Sequence, residues 1–148
     1  MNITGTFMDP NYRELPSGVN RKNTAVRIFF EAMMHDREFA DAVDALYSAG
    51  DTKTLKAVLF EVANNEYHKG CMDIKMSADY LDSKEGEHSD IAKMREIRRA
   101  EFDIMKIAKQ LPFIGGVLSD ASTGKIDLVE CYKEAKFFVE FYRGMAKR

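Results

Sequence analysis

Proline, cysteine and tryptophan are scarce in this sequence, which has three prolines, two cysteines and no tryptophan in 148 residues. Cys71 and Cys131 form neither a disulfide framework nor a Cys-x-x-Cys zinc motif, so we expect reduced thiols in a cytoplasmic protein. No apolar stretch approaches the length needed to cross a bilayer. The first 23 residues lack the basic and apolar regions of a signal peptide. We therefore expect neither a secreted nor a membrane protein.

Sequence signatures of catalysis are also missing. The chain contains no Gly-x-Ser-x-Gly, His-Glu-x-x-His or Gly-x-Gly-x-x-Gly motif, and neither cysteine lies in a nucleophile signature. The segment 122–125 ends like a phosphate-binding loop, but it lacks the earlier glycine and the following Ser or Thr. We therefore predict a protein without enzymatic activity, catalytic residues, bound metal or cofactor.

What the sequence does contain is helical periodicity. Apolar residues recur every three or four positions, which places them on one face of a helix. This pattern predicts four helices, at 24–49, 51–81, 90–110 and 127–145. Because helices joined by short connections pack antiparallel, the expected fold is all-α, an antiparallel four-helix bundle. We assign residues 24–148 to a single helical domain and residues 1–23, which show no period, to an extended N-terminal arm.

Local signals set the helix boundaries. Asp51 stands where a side-chain oxygen caps the N-terminus of the second helix, and either Ser89 or Asp90 stands in that position for the third. Pro112 is expected to end the third helix, because proline lacks the amide hydrogen that a helix interior uses. Two points stay open. Gly70 either stops the second helix or weakens it, and Asp36 either lies within one long first helix or caps a separate helix after a break.

Asp36 and Glu66 form an acid pair on the apolar sides of neighbouring predicted helices. Both lie at similar distances from the turn at Gly50, so antiparallel packing would bring them to one level, beside His35 and His68. Carboxylates and histidines inside a bundle hold metal in di-iron proteins, which suggests a metal-dependent enzyme as one hypothesis. The Glu-x-x-His repeats of those proteins are absent from the predicted helices, so hydrogen-bonded structural acids are the alternative.

The third predicted helix carries a basic stripe opposite its core face. Within an arc of about 100° lie one aromatic residue and five cations, namely Phe102, Arg95, Arg98, Arg99, Lys106 and Lys109. This stripe would suit nucleic acid, with phosphates on the cations and a base stacked on the ring. It would equally suit a protein interface, where Arg and Phe are enriched. A solvated face is the third alternative, with Arg99 paired to Glu96 and Asp103 along the helix.

Apolar residues exceed what one helix face needs. The segment 113–125, expected to be a loop, begins with Phe113 and Ile114. The fourth predicted helix is apolar over more than half its circumference and includes Phe137 and Phe141, whereas a lone surface helix needs a stripe of about 100°. These four residues are candidates for a second binding face and for self-association. One monomeric core that uses all of them is the alternative.

The leading hypothesis is a non-catalytic helical interaction protein, such as an adaptor, inhibitor or assembly accessory. Small bundles of this kind are common among proteins of viruses and mobile elements, so a viral origin is part of the hypothesis. The expected partner is another protein or a second copy of the chain. We expect no membrane as a partner. A formal net charge of −2 does not favour nucleic acid, so binding of nucleic acid through the basic stripe is the alternative.

Overall fold

The computed structural model describes residues 18–84, 86 and 90–146, and these residues form five helices and no strand. In chain order they are α1 (Gly18–His35), α2 (Arg37–Ser48), α3 (Thr52–Ser83), α4 (Ile91–Ser122) and α5 (Leu128–Ala146). The all-α prediction is confirmed, but five helices replace the expected four. Within this described part, no helix is long and apolar enough to span a membrane.

The prediction of one helix at 24–49 is wrong at its start and in its middle. α1 already begins at Gly18, so residues 18–23 of the predicted arm are helical, while residues 1–17 lie outside the described residues. The chain also leaves the helix at Asp36, whose backbone is extended (φ −131°, ψ 102°). Its Oδ1 accepts a hydrogen bond from the Phe39 amide at 3.1 Å. The capping alternative for Asp36 is therefore confirmed.

Aspartates cap three further helices, two of them at positions that the sequence predicted. Asp51 accepts from the amide of Thr54 at 3.2 Å and so begins α3. Asp90 accepts from the amide of Ala92 at 2.9 Å and begins α4. Asp127 accepts from the amide of Val129, at 3.0 Å, at the start of α5. Each carboxylate satisfies an amide that has no partner within its helix and also lies favourably at the positive end of the helix dipole.

α3 and α4, each 32 residues long, pack antiparallel. Gly70 in α3 faces Leu111 in α4, and the Tyr80 hydroxyl further along α3 donates to Glu96, which is nearer the start of α4. Gly70 does not stop the helix. A Cβ at this position would lie 2.6 Å from Leu111 Cδ2, so glycine lets the two helices approach closely.

The predictions that the third helix ends before Pro112 and that 113–125 is a loop are wrong. α4 continues through Pro112 to Ser122, although an internal proline costs a helix about 3 kcal/mol. Beyond it, Ile114 and Val117 are buried in the core. Burying an aliphatic side chain gains about 1.5–3 kcal/mol, so two such residues offset the cost of the proline. Tertiary packing therefore overrides the local signal.

Burial divides the α3–α4 pair into two halves. The buried residues of α3 are Leu55, Leu59 and Ala63, all in its first half. Those of α4 lie at position 114 or beyond, with the single exception of Ile97. Residues 64–83 and 91–110 therefore extend away from the core as an antiparallel pair, which we call the distal hairpin. At 1.5 Å per residue it is about 30 Å long.

Candidate interaction surface

The basic stripe lies on the side of α4 that faces away from α3. Residues of α4 that point toward α3 are buried or half-buried, as at Ile97, Ile104 and Ile107. All six residues of the basic stripe are exposed. They lie opposite the α3-facing residues because the helical period places positions about 180° apart on opposite faces. The structure thus brings together the six residues that the sequence grouped.

Four large apolar side chains lie on the same outward face. Phe102 is 65% exposed, Met105 is 59% exposed and Ile91 is 69% exposed, while Met94 between them is also exposed. A single exposed apolar residue is common on a protein surface, but a row of four along one helix face is the mark of a contact surface. We call the basic stripe together with Ile91, Met94 and Met105 the α4 surface.

The cations of the α4 surface have no acidic partners within the described part of the chain. None of the ion pairs formed there involves Arg95, Arg98, Arg99, Lys106 or Lys109. The pairs of Arg99 with Glu96 and Asp103 that the solvated-face alternative assumed are not among the ion pairs of the described residues, and Glu96 accepts a hydrogen bond from the Tyr80 hydroxyl at 2.7 Å. Five like charges on one face therefore sum to a positive local potential on a chain whose formal net charge is −2.

The other predicted binding residues divide between core and surface. Ile114 is buried in the hydrophobic core, and Phe113 beside it is half-buried in α4 rather than displayed by a loop. Phe137 and Phe141 are 53% and 43% exposed on α5. The aromatic face of α5 is thus open to solvent, whereas the segment around Ile114 serves the core.

Asp36, Glu66 and both neighbouring histidines are exposed rather than turned into the bundle. Asp36 uses its carboxylate to cap α2. Among the described residues there is no group of three or more His, Cys, Asp or Glu side chains that could hold a metal ion. The expected placement of this acid pair inside the bundle is wrong, because Asp36 lies at the break between α1 and α2, and Glu66 lies in the half of α3 that the core does not bury.

An ion pair that the sequence did not reveal ties α1 to α4. Asp120 is the one charged residue buried in the described part of the chain, and both its carboxylate oxygens accept from Arg21 Nη1, at 3.1 and 3.3 Å. The Arg21 side chain crosses Gly116, where an added Cβ would lie 2.5 Å from Nε. Periodicity gave no signal here, since Arg21 fell in the predicted arm and Asp120 in the predicted loop.

Two core groups on α5 have pKa values raised by burial. The pKa of the Cys131 thiol rises to about 12, so the thiol is protonated and unreactive at neutral pH. Burial also raises the pKa of Tyr132, whose hydroxyl donates a hydrogen bond to Asp44. A surface depression of about 450 Å³ lies beside Cys131, lined by Lys22, Asp120 and Lys125 among others.

Comparison of the chain with protein-family models, with curated proteins and with solved structures finds no match in any of the three.

Proposed function

We propose that the protein is a non-catalytic interaction module that binds an acidic, amphipathic helix of a partner protein along the α4 surface. In this proposal the core is a four-helix bundle, formed by α1, α5 and the adjoining halves of α3 and α4, with α2 added at one end. The bundle holds the distal hairpin out toward the partner. An adaptor, inhibitor or assembly accessory, including one encoded by a virus, would act in this way.

One observation carries the proposal: unpaired cations flank exposed apolar side chains along a single helix face. The apolar residues recur at spacings of three, eight and three, from Ile91 through Met94 and Phe102 to Met105. A partner helix lying along this face could bury them as anchors. Acidic residues on its flanks would meet the cations, which would speed the encounter and select the partner. Phe102, the largest of the four and the one that lies among the cations, is the expected hot spot.

Nucleic acid is the second candidate, because Phe102 lies among five cations and could stack on a base. The α4 surface favours protein over nucleic acid for a physical reason. Ile91, Met94 and Met105 have no polar group to offer a phosphate, but they gain free energy when an apolar partner covers them. Ionic strength discriminates the two, because phosphate binding releases counterions and weakens steeply with salt.

The test is affinity capture from nuclease-treated lysate by two chains, the natural one and Arg98→Glu/Phe102→Ala. We expect an acidic protein that is retained by the natural chain and lost with the double change. The matched control is Lys69→Glu/Met76→Ala on α3. It also replaces an exposed cation and an apolar residue that is 65% exposed, as Phe102 is. This control should retain the partner.

Retention by both variants would place the contact elsewhere and overturn the proposal. To test the nucleic-acid candidate, a labelled 20-nucleotide single-stranded DNA is titrated with the natural chain at 50 and 200 mM salt. Neutralising five phosphates would lower the affinity by about 100-fold between these salt concentrations. Such a loss of affinity, together with loss of DNA binding by Arg98→Glu/Phe102→Ala, would show that the partner of the α4 surface is nucleic acid and not protein.

A further inference from the structure

The outward face of α5 is the second apolar surface of the molecule. Glu130, Glu134, Phe137, Phe141 and Met145 recur at spacings of four, three, four and four, so they form one row, which we call the α5 surface. All five are exposed. They lie opposite the residues of α5 that the core buries, because helix faces about 180° apart cannot both pack on the same core.

The rings of Phe137 and Phe141 on the α5 surface each pack against a neighbouring aromatic ring of the same helix. Phe137 meets the ring of Phe138 edge-on, with ring centroids 5.5 Å apart, and Phe141 meets the ring of Tyr142 at 5.6 Å. Tyr142 in turn packs on Phe30 of α1 at 5.5 Å. Contacts of this kind restrict the rings before any partner arrives, which reduces the entropy lost on binding.

The α4 and α5 surfaces match when they are placed antiparallel. From Lys109 back to Met94, the outward residues of α4 have spacings of four, three, four and four, the same series that α5 has from Glu130 to Met145. In this register, five positions face one another: Lys109 with Glu130, Met105 with Glu134, Phe102 with Phe137, Arg98 with Phe141, and Met94 with Met145. Both rows span about 23 Å, so they coincide in length as well.

The charges agree with the spacing at two positions of this register and oppose it at one. Lys109 meets Glu130 and Arg99 meets Glu140, whereas Lys106 meets Lys133 and Met105 lies opposite the acid Glu134. The central pair joins two aromatic rings. Arg98 lies opposite Phe141, where its guanidinium would be stabilised over the face of the ring. Antiparallel helices also align their dipoles favourably.

We propose that the α4 surface of one chain binds the α5 surface of a second copy, with the two helices antiparallel in this register. The inference rests on the proposed function, because it assigns a partner to the same α4 surface. The two acids of the α5 surface already form ion pairs within the chain. Glu134 lies 3.6 Å from Lys22, and Glu130 lies 3.5 Å from Lys133, both as exposed pairs. Exposed pairs are weak, so these acids exchange partners readily.

The contact joins two different surfaces, so it is heterologous. Such a contact closes into a dimer if both surfaces of one chain reach the same neighbour, and otherwise it links chains head to tail. A single pair of helices covers less area than the roughly 800 Å² per partner of a standard interface. We therefore expect weak self-association, with a dissociation constant of about 10 µM or more.

The test is sedimentation velocity of full-length chains from about 5 to 500 µM, a range that brackets the expected dissociation constant. The natural chain should sediment faster as its concentration rises. Arg98→Glu/Phe102→Ala disables the α4 surface and Glu134→Arg/Phe137→Ala disables the α5 surface, so each variant alone should stay monomeric. Their equimolar mixture should form a one-to-one dimer, because one intact surface of each kind remains. Lys69→Glu/Met76→Ala should associate as the natural chain does.

Three outcomes overturn the inference: a natural chain that stays monomeric throughout, an α4 variant that still self-associates, or a mixture that stays monomeric. A further check uses charge exchange. Lys109→Glu should weaken association about fivefold, and adding Glu130→Lys in the same chain should restore it. Failure here is distinguishable from failure of the proposed function. Suppose that the natural chain stays monomeric but captures an acidic protein from lysate, and that Arg98→Glu/Phe102→Ala does not capture it. That result would contradict only the assignment of a second copy as the partner and would leave the proposed function standing.

Discussion

The two halves of the α3–α4 pair have similar helical structure but opposite surroundings. In the half nearer the core, α1 covers the pair, and Leu59 and Val117 are fully buried. In the distal hairpin only Ile97 is buried, and Met72, Met76 and Phe102 are more than half exposed. The comparison separates two uses of apolar residues. In the core they stabilise the fold, and on the hairpin they remain uncovered and available to a partner.

The largest expected difference between the core and the distal hairpin is in the cost of a Phe→Ala substitution to the free energy of unfolding. Phe29→Ala, at a fully buried position, should lower the free energy of unfolding by about 3–5 kcal/mol, because it leaves a cavity in a packed core. Phe102→Ala, at the exposed position, should change it by less than about 0.5 kcal/mol. Urea denaturation followed by circular dichroism measures both. If Phe102→Ala cost as much as Phe29→Ala, the α4 surface would be part of the fold and unavailable to a partner.

The next effect concerns the ion pair that joins α1 to α4 at the core. Arg21→Met leaves the buried Asp120 carboxylate without its donor, and we expect a loss of about 2–3 kcal/mol in unfolding free energy. Lys22→Met removes the neighbouring cation from an exposed pair with Glu134 and should cost less than about 1 kcal/mol. If both variants lost the same unfolding free energy, water would be stabilising the Asp120 carboxylate as well as the Arg21 side chain does.

A smaller effect is expected at the junction between the halves. Gly70 packs on Leu111, the neighbour of Pro112, so both helices carry a helix-weakening residue at the same level. Pro112→Ala should restore one backbone hydrogen bond and raise the unfolding free energy by about 1–2 kcal/mol. Hydrogen exchange should show slower exchange in residues 91–110 of the variant. Unchanged exchange there would show that the proline does not control opening of the hairpin.

The sequence predicted those features that depend on a single helix. The all-α class, the caps at Asp51 and Asp90, and the position of Phe102 among the cations all follow from local patterns. Features that depend on packing between helices could not be predicted. α4 passes Pro112 because residues after it are buried, and Gly70 persists within α3 because Leu111 approaches it. The same holds for Arg21 and Asp120, which are 99 residues apart and have no periodic relationship.

The two cysteines provide the smallest test, with one in each region. Cys71 is exposed on the distal hairpin, and Cys131 is buried in the core with its pKa raised to about 12. An unfolded thiol has a pKa of about 8.5, so above that pH the unfolded chain releases a proton that the folded chain keeps. Cys131 should therefore reduce the unfolding free energy by about 1.4 kcal/mol at pH 9.5 and by almost nothing at pH 7. Urea denaturation at both pH values should show this decline in Cys71→Ala and a smaller one in Cys131→Ala. Equal declines in the two variants would mean that ionisation of Cys131 is not its cause.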